Sequence, residues 1–173
     1  MASVTATATK AATELCCPIV DLRQYTLYPG TRDDFVTLFD REFVETQEAA
    51  GTRIIGQFRD LGDPNRFVWL RGFADMPARE RALTAFYLHG EAWRRHSETA
   101  RSMMIDSSDA LLLRPVHPAS AFALESPAHR PTLASPLPAG LVVATIHHLP
   151  RAVDAEFVEF FRNSVEPALI AAG

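Results

Sequence analysis

The spacing of apolar residues in the first two thirds of the chain changes repeatedly, and the order of those changes restricts the fold. Ile19 to Leu27 (IVDLRQYTL) alternates as a strand does and ends at Pro29-Gly30. A helix is predicted next, from Thr31 as N-cap to about Ala50, because Phe35, Leu38, Phe39 and Phe43 recur every three or four residues. Two more strand-like runs follow, Arg53 to Asp60 and Arg66 to Phe73, around the turn-rich LGDPN.

The same region closes with helix and strand signals. Asp75 is a predicted N-cap, Pro77 stands just inside the helix, and Gly90 is expected to interrupt it. The apolar run Ala110 to Arg114 (ALLLR) predicts a buried strand. The resulting order, βαββαβ, predicts an α+β fold of the ferredoxin-like kind.

Residues 140–173 repeat part of this pattern. Leu141 to Leu149 (LVVATIHHL) predicts a strand and Val153 to Ala172 a helix, in which Phe157 follows Phe35, and Phe161 follows Phe39, by 122 residues. We expect a partial second copy (βα), completed by another chain or shortened relative to longer homologues. Residues 116–139, rich in proline, predict an extended linker, and residues 1–17, small and polar, a disordered tail.

Composition excludes several classes of function. The net charge of -4 and the scattered arginines argue against nucleic-acid binding. No segment has the apolar length of a signal peptide or a membrane span, so a cytoplasmic protein is expected. Cys16 and Cys17 are the only cysteines, and we predict two reduced thiols. No metal-ligand spacing, nucleophile motif or phosphate loop is present, and no cofactor is predicted.

The amino-acid sequence of the first two thirds of the chain resembles the NIPSNAP family of the dimeric α/β-barrel superfamily. The resemblance is carried by VDLRQYTLYPGTRDDFVTLFDREF, GQFRDLGDPNRFVWLRGFADMPARERALTAFY and WRRH, and covers residues 18–115 closely. It implies a ferredoxin-like unit whose sheet packs against another sheet, here in a homodimer, and a ligand cavity between the sheet and its own helices. The superfamily includes cofactor-independent monooxygenases, isomerases, haem-associated proteins and members without known activity, so the resemblance does not fix a reaction.

The strand Arg66 to Phe73 presents an aromatic and arginine face to the implied cavity. Trp69 and Arg71 share that face by alternation, and a guanidinium there would favour a carboxylate, phenolate or enolate. The alternative for Arg71 is a structural ion pair with Asp21 or Glu42.

Three further strand residues are candidates. Arg23 and Tyr25 share a face of the first strand, and Tyr25 would donate a hydrogen bond to a ligand oxygen or, alternatively, pack in the core. Gln57 lies on the second strand as a ligand contact or a structural hydrogen-bonding group.

Helical spacing places His96 on one stripe with Trp93. His96 is a candidate general base, or a haem ligand, or a buried hydrogen-bonded histidine. Together these residues predict a catalytic set of His96, Arg71 and Tyr25 and a substrate-binding set of Arg23, Gln57, Trp69 and Trp93.

Three hypotheses for the function follow from these observations. The first hypothesis is a cofactor-independent enzyme or binder for a small aromatic or carbonyl-bearing metabolite. The second is a non-catalytic oligomeric interaction module, with a collapsed interior. The third is a haem-associated protein.

Overall fold

The computed structural model describes residues 14–124 and 140–172, which form two compact units. The elements of the first unit are β1 (Glu14–Cys16), β2 (Ile19–Leu27), α1 (Arg32–Leu38), a π-helical turn (Phe39–Phe43), α2 (Val44–Ala49), β3 (Arg53–Arg59), β4 (Arg66–Phe73), α3 (Met76–Tyr87), α4 (Glu91–Ser102), β5 (Met104–Leu113), a 3-10 turn (Pro118–Ser120) and β6 (Phe122–Leu124). The elements of the second unit are α5 (Ala155–Phe160), a π-helical turn (Phe161–Val165) and α6 (Glu166–Ala172).

The main sheet of the first unit confirms the predicted fold class. Its strands are antiparallel in the order β3-β4-β2-β5, so the two strands that begin and end the βαββαβ order lie side by side. The β2–β4 register pairs Arg23 with Trp69 and Tyr25 with Phe67, and directly opposed residues share a face of the sheet. All four side chains therefore point to the side on which the helices pack.

The core lies between this face and the helices. Aromatic side chains fill most of it, because the stripe of α1 and the π-helical turn meets the inward residues of β2 and β4. Its largest fully buried members include Trp69, Phe35 and Phe67. The Phe35 and Phe67 rings lie 5.2 Å apart and the Phe39 and Trp69 rings 4.8 Å apart, at the steep angles that aromatic pairs favour.

Helix boundaries in this layer follow local chemistry. The Asp75 carboxylate accepts a 2.6 Å hydrogen bond from the Ala78 amide and caps α3, as predicted. Gly90 separates α3 from α4 and has an extended backbone. Thr31 differs from its predicted role, because its hydroxyl donates to the Tyr28 carbonyl, at 2.8 Å, instead of capping α1.

Two short strands lie within the segments predicted as tail and linker. Glu14–Cys16, in the predicted tail, pairs with Phe122–Leu124, in the predicted linker, to form a small separate sheet. Each segment satisfies the other's backbone groups, which neither does alone. Residues 1–13 and 125–139 lie outside the described residues.

The two cysteines lie together at the turn between β1 and β2. Cys17 has φ 120° there, and its sulfur lies against that of Cys16. That both are reduced thiols stays a prediction.

The second unit contains the predicted helix but not the predicted strand. Helical residues run from Ala155 to Ala172, and the π-helical turn Phe161–Val165 stands 122 residues after Phe39–Phe43. Residues 141–149 form no strand, because nothing in the described chain pairs with their backbone. The partial second copy is therefore not confirmed.

Candidate functional site

A cavity of about 410 Å³ lies between the main sheet and the helices of the first unit. This volume is within the range of small-molecule sites, which is roughly 300–1,000 Å³. The sheet contributes Arg23, Tyr25, Trp69, Met104 and Ser107 to its wall. The helical layer contributes Phe35, Phe39, Phe43, Gln47, Phe86, Tyr87, Leu88, Trp93 and Arg101.

Two N–H groups in this wall have no hydrogen-bond partner. The indole Nε1 of Trp69 and the guanidinium Nε of Arg23 are buried and unpartnered, and the Trp69 side chain is fully buried. The other end of the Arg23 guanidinium is fixed, because its NH2 donates to the Ser107 carbonyl at 2.7 Å. Since a buried donor without a partner costs about 1–3 kcal/mol, two of them in one cavity indicate a place for an acceptor.

Tyr25 lies beside these donors as a neutral phenol. Burial, and then the neighbouring Tyr87, raise the pKa of Tyr25 to about 12, although Arg23 and Arg71 act in the opposite direction. At neutral pH its hydroxyl therefore keeps its proton and is available to donate a hydrogen bond.

Arg71 lies behind the wall of the cavity rather than in it. Its Nε donates to Asp21 at 3.1 Å, and its NH1 donates to the Gln47 side-chain oxygen at 2.9 Å and to the Tyr87 hydroxyl at 3.2 Å. This is the structural ion pair with Asp21 that the sequence left open. Burial acts to lower the pKa of Arg71, but Tyr87 and Asp21 outweigh it and raise the pKa, so Arg71 stays charged and orients two cavity residues.

The helical wall is aromatic, with a cation at its rim. The ring of Trp93 lies 4.9 Å from that of Tyr87, nearly perpendicular to it. The guanidinium of Arg101 stands 5.4 Å from the Trp93 ring, in cation–π contact, and is exposed.

The structure brings together four of the seven predicted site residues. Arg23, Tyr25, Trp69 and Trp93 line the cavity, whereas Arg71, Gln57 and His96 do not. The Gln57 amide donates to Asp40 at 2.6 Å, which is a structural role.

His96 faces a neighbouring helix. Its Nε2 lies 3.4 Å from a carboxylate oxygen of Glu42, in the π-helical turn. A hydrogen bond from Arg41 is the largest influence on the pKa of Glu42, which is lowered.

Sequence reasoning missed three polar wall residues of the helical layer, as well as Ser107 of β5. Gln47 stands four residues after Phe43, Tyr87 directly follows Phe86, and Arg101 stands eight residues after Trp93. Gln47 and Arg101 continue the apolar stripes of Phe43 and Trp93, so helical spacing extended to polar side chains would have found both.

The described residues, 14–124 and 140–172, hold no group of three or more histidine, cysteine, aspartate or glutamate side chains placed to bind a metal ion. No helix in this part of the chain has the length and apolarity needed to cross a membrane.

The sheet order and the helix-covered cavity define a ferredoxin-like α+β protein, and solved structures share this fold. One is a NIPSNAP family protein from Agrobacterium tumefaciens, with a TM-score of 0.53 and 19% identity over 58% of this chain and 90% of that one. An uncharacterised NIPSNAP-like domain protein from Burkholderia xenovorans gives a TM-score of 0.51 and 29% identity over 57% and 84%. No curated protein matches the chain.

A family profile identifies the chain more closely. The NIPSNAP profile matches residues 20–119, which is more than half of the chain. The chain belongs to the NIPSNAP family, and the resemblance seen in its sequence is confirmed.

Proposed function

We propose that this protein binds a small aromatic or carbonyl-bearing metabolite in the cavity between sheet and helices, as a binding protein or a cofactor-independent enzyme. The observation that carries the proposal is the pair of buried, unpartnered N–H groups of Trp69 and Arg23 in the cavity wall. An interior filled only by its own side chains, as a purely structural module would have, would be expected to satisfy the buried donors within its wall.

The wall supplies hydrogen-bond donors and no side-chain base. Tyr25 is protonated at neutral pH, and no histidine, aspartate or glutamate is among the described residues that line the cavity. The donors of Arg23, Trp69 and Tyr25 would polarise a ligand carbonyl or hold negative charge that develops on its oxygen. Any reaction at this site would therefore rest on stabilising an oxyanion rather than on proton transfer by His96.

The haem alternative needs His96 at the cavity. His96 lies against Glu42 instead, so the geometry favours a small organic ligand over a haem held by this residue.

A thermal-shift screen of aromatic acids, amides, aldehydes and ketones tests the proposal. We expect the wild-type protein to be stabilised by some of these compounds, and Trp69→Phe and Tyr25→Phe to lose most of the shift, because each removes a donor. His96→Ala is the matched control and should keep the full shift. A shift that disappears in His96→Ala and survives in Trp69→Phe would place the ligand elsewhere.

A further inference from the structure

The cavity carries positive charge that no side chain in its wall neutralises. Two guanidinium groups line it, those of Arg23 and Arg101, and its described lining contains no carboxylate. A charge of one sign in a partly buried site raises the local concentration of ligands of the opposite sign.

Neither cation is paired with a carboxylate elsewhere in the described chain. Arg23 donates to a backbone carbonyl and stands 5.6 Å from the Tyr25 ring, and Arg101 stacks on Trp93. The carboxylate of Asp109, on the neighbouring strand, instead accepts a 3.0 Å hydrogen bond from Gln24, which alternation places on the other face of the sheet.

Arg71 provides an internal comparison. It is a buried arginine of the same sheet, whereas Arg23 is half-buried, and Asp21 neutralises it at 3.1 Å while Gln47 and Tyr87 occupy its NH1. The chain therefore pairs the buried guanidinium, whose role is structural, and leaves the half-buried Arg23 at the cavity without a carboxylate partner.

The unpartnered donors are also neighbours. Arg23 and Trp69 are directly opposed in the β2–β4 register, on the same face of the sheet. Side chains so placed converge on one region, and the two oxygens of a carboxylate are suited to accept from both. Most of the remaining wall is aromatic and favours a flat, apolar body.

From this arrangement we infer that the ligand is an aromatic carboxylate, with its carboxylate held by Arg23 and Trp69 and its ring between the aromatic side chains of the helical layer. The inference rests on the proposed function and adds the charge and the orientation of the ligand. Arg101, at the rim, would attract the anion and favour its entry.

Matched acid and amide probes test the charge. Titration calorimetry on the full chain would compare 2-naphthoate with 2-naphthamide and benzoate with benzamide, since each pair differs in charge and hardly in shape. We expect each acid to bind at least about tenfold more tightly than its amide, because an ionised acceptor makes the stronger hydrogen bonds, and this preference to shrink at high salt.

Variants test the assignment to residues. Arg23→Gln should remove most of the preference for the acid, because it weakens the acid much more than the amide. Arg101→Gln should reduce the acid's affinity by a smaller factor, and Arg95→Gln, on the exposed side of α4, should leave both unchanged. The comparison of acid with amide on the wild-type protein decides the charge even if Arg23→Gln does not fold.

The outcomes separate the inference from the proposed function. Equal affinity for acid and amide, or tighter binding of the amide, would overturn the inference and leave the proposed function in place. If no compound in either the calorimetric or the thermal-shift series binds, both fail. A preference for the acid that survives both Arg23→Gln and Arg101→Gln would also overturn the assignment.

Discussion

At the scale of single residues, the buried polar groups fall into two kinds. Asp21 accepts from Arg71 at 3.1 Å and from Arg79 at 2.9 Å, so each of its carboxylate oxygens has an arginine partner. Trp69 and Arg23 keep N–H groups that nothing accepts from. The first kind holds the sheet and α3 together, and the second has no structural use that the described residues reveal.

The Asp21 pair gives a stability prediction. Asp21→Asn should lower the free energy of unfolding by about 3–5 kcal/mol, because it leaves the buried Arg71 without its counter-charge. Denaturant unfolding measures this, with Glu91→Gln as the control, since the Glu91–Arg95 pair is exposed and should contribute little. Equal midpoints for the two variants would show that the Asp21 pair contributes no more than a surface contact.

At the scale of elements, the break between α3 and α4 sets the helical wall of the cavity. An added Cβ at Gly90 would lie 3.1 Å from the carbonyl carbon of Phe86 and closer still to its oxygen. Backbone atoms cannot move aside as a flexible side chain can. Only glycine fits at the point where the chain turns between the two helices. After this turn, α4 brings Trp93 and Arg101 to the cavity.

Gly90→Ala should therefore destabilise the protein by about 1–3 kcal/mol and weaken ligand binding. Gly62→Ala is the matched control, because the nearest atom to its added Cβ is Oδ1 of Asp60, at 3.4 Å. Thermal unfolding of the two variants, with and without a compound from the screen, checks both effects. A smaller loss at Gly90 than at Gly62 would contradict this account of the break.

Elements with a clear apolar pattern could be predicted from the sequence. Very short strands, and a segment that becomes a strand only by pairing with its neighbour, could not. Alternation located β2 and β4 with their observed ends, and therefore placed Arg23 with Tyr25 on one face of β2. The observed register adds Trp69 of β4 to that face. The polar first half of β5 shows no apolar pattern and becomes a strand only by pairing with β2. The strands β1 and β6, three residues each, are too short to carry a pattern.

The helical residues show a second limit of sequence reasoning. Helical spacing predicts that His96 lies on the same stripe of α4 as Trp93, but that stripe extends beyond the residues that line the cavity. Packing against the π-helical turn sets His96 beside Glu42 and leaves Trp93 at the cavity. Spacing does not identify that turn, because the four-residue steps from Phe35 to Phe39 and Phe43 also fit an ordinary α-helix.

At the scale of the whole molecule, the second face of the sheet carries apolar side chains that are not fully covered. Residues that alternate with the cavity face, such as Val68 and Leu70, point away from the helices and are only half-buried. The pairing of this face with a second copy of the chain stays a prediction of the sequence resemblance.

Solution mass measurement tests that prediction. We expect a dimer for the wild-type protein and a monomer for Val68→Glu, because a charge buried between two apolar sheets is costly. Arg94→Glu, on the exposed surface of α4, should remain dimeric. A monomeric wild-type protein would contradict the expected homodimer.

The unpartnered donors have a consequence for the abundance of the protein in a cell. A ligand that binds only the folded state stabilises it by RT ln(1 + [L]/Kd), about 2.7 kcal/mol at a hundredfold excess over Kd. The vacant form, with the Trp69 and Arg23 N–H groups unsatisfied, would open more often and be degraded faster. The steady-state abundance of this protein would then rise and fall with the supply of its metabolite.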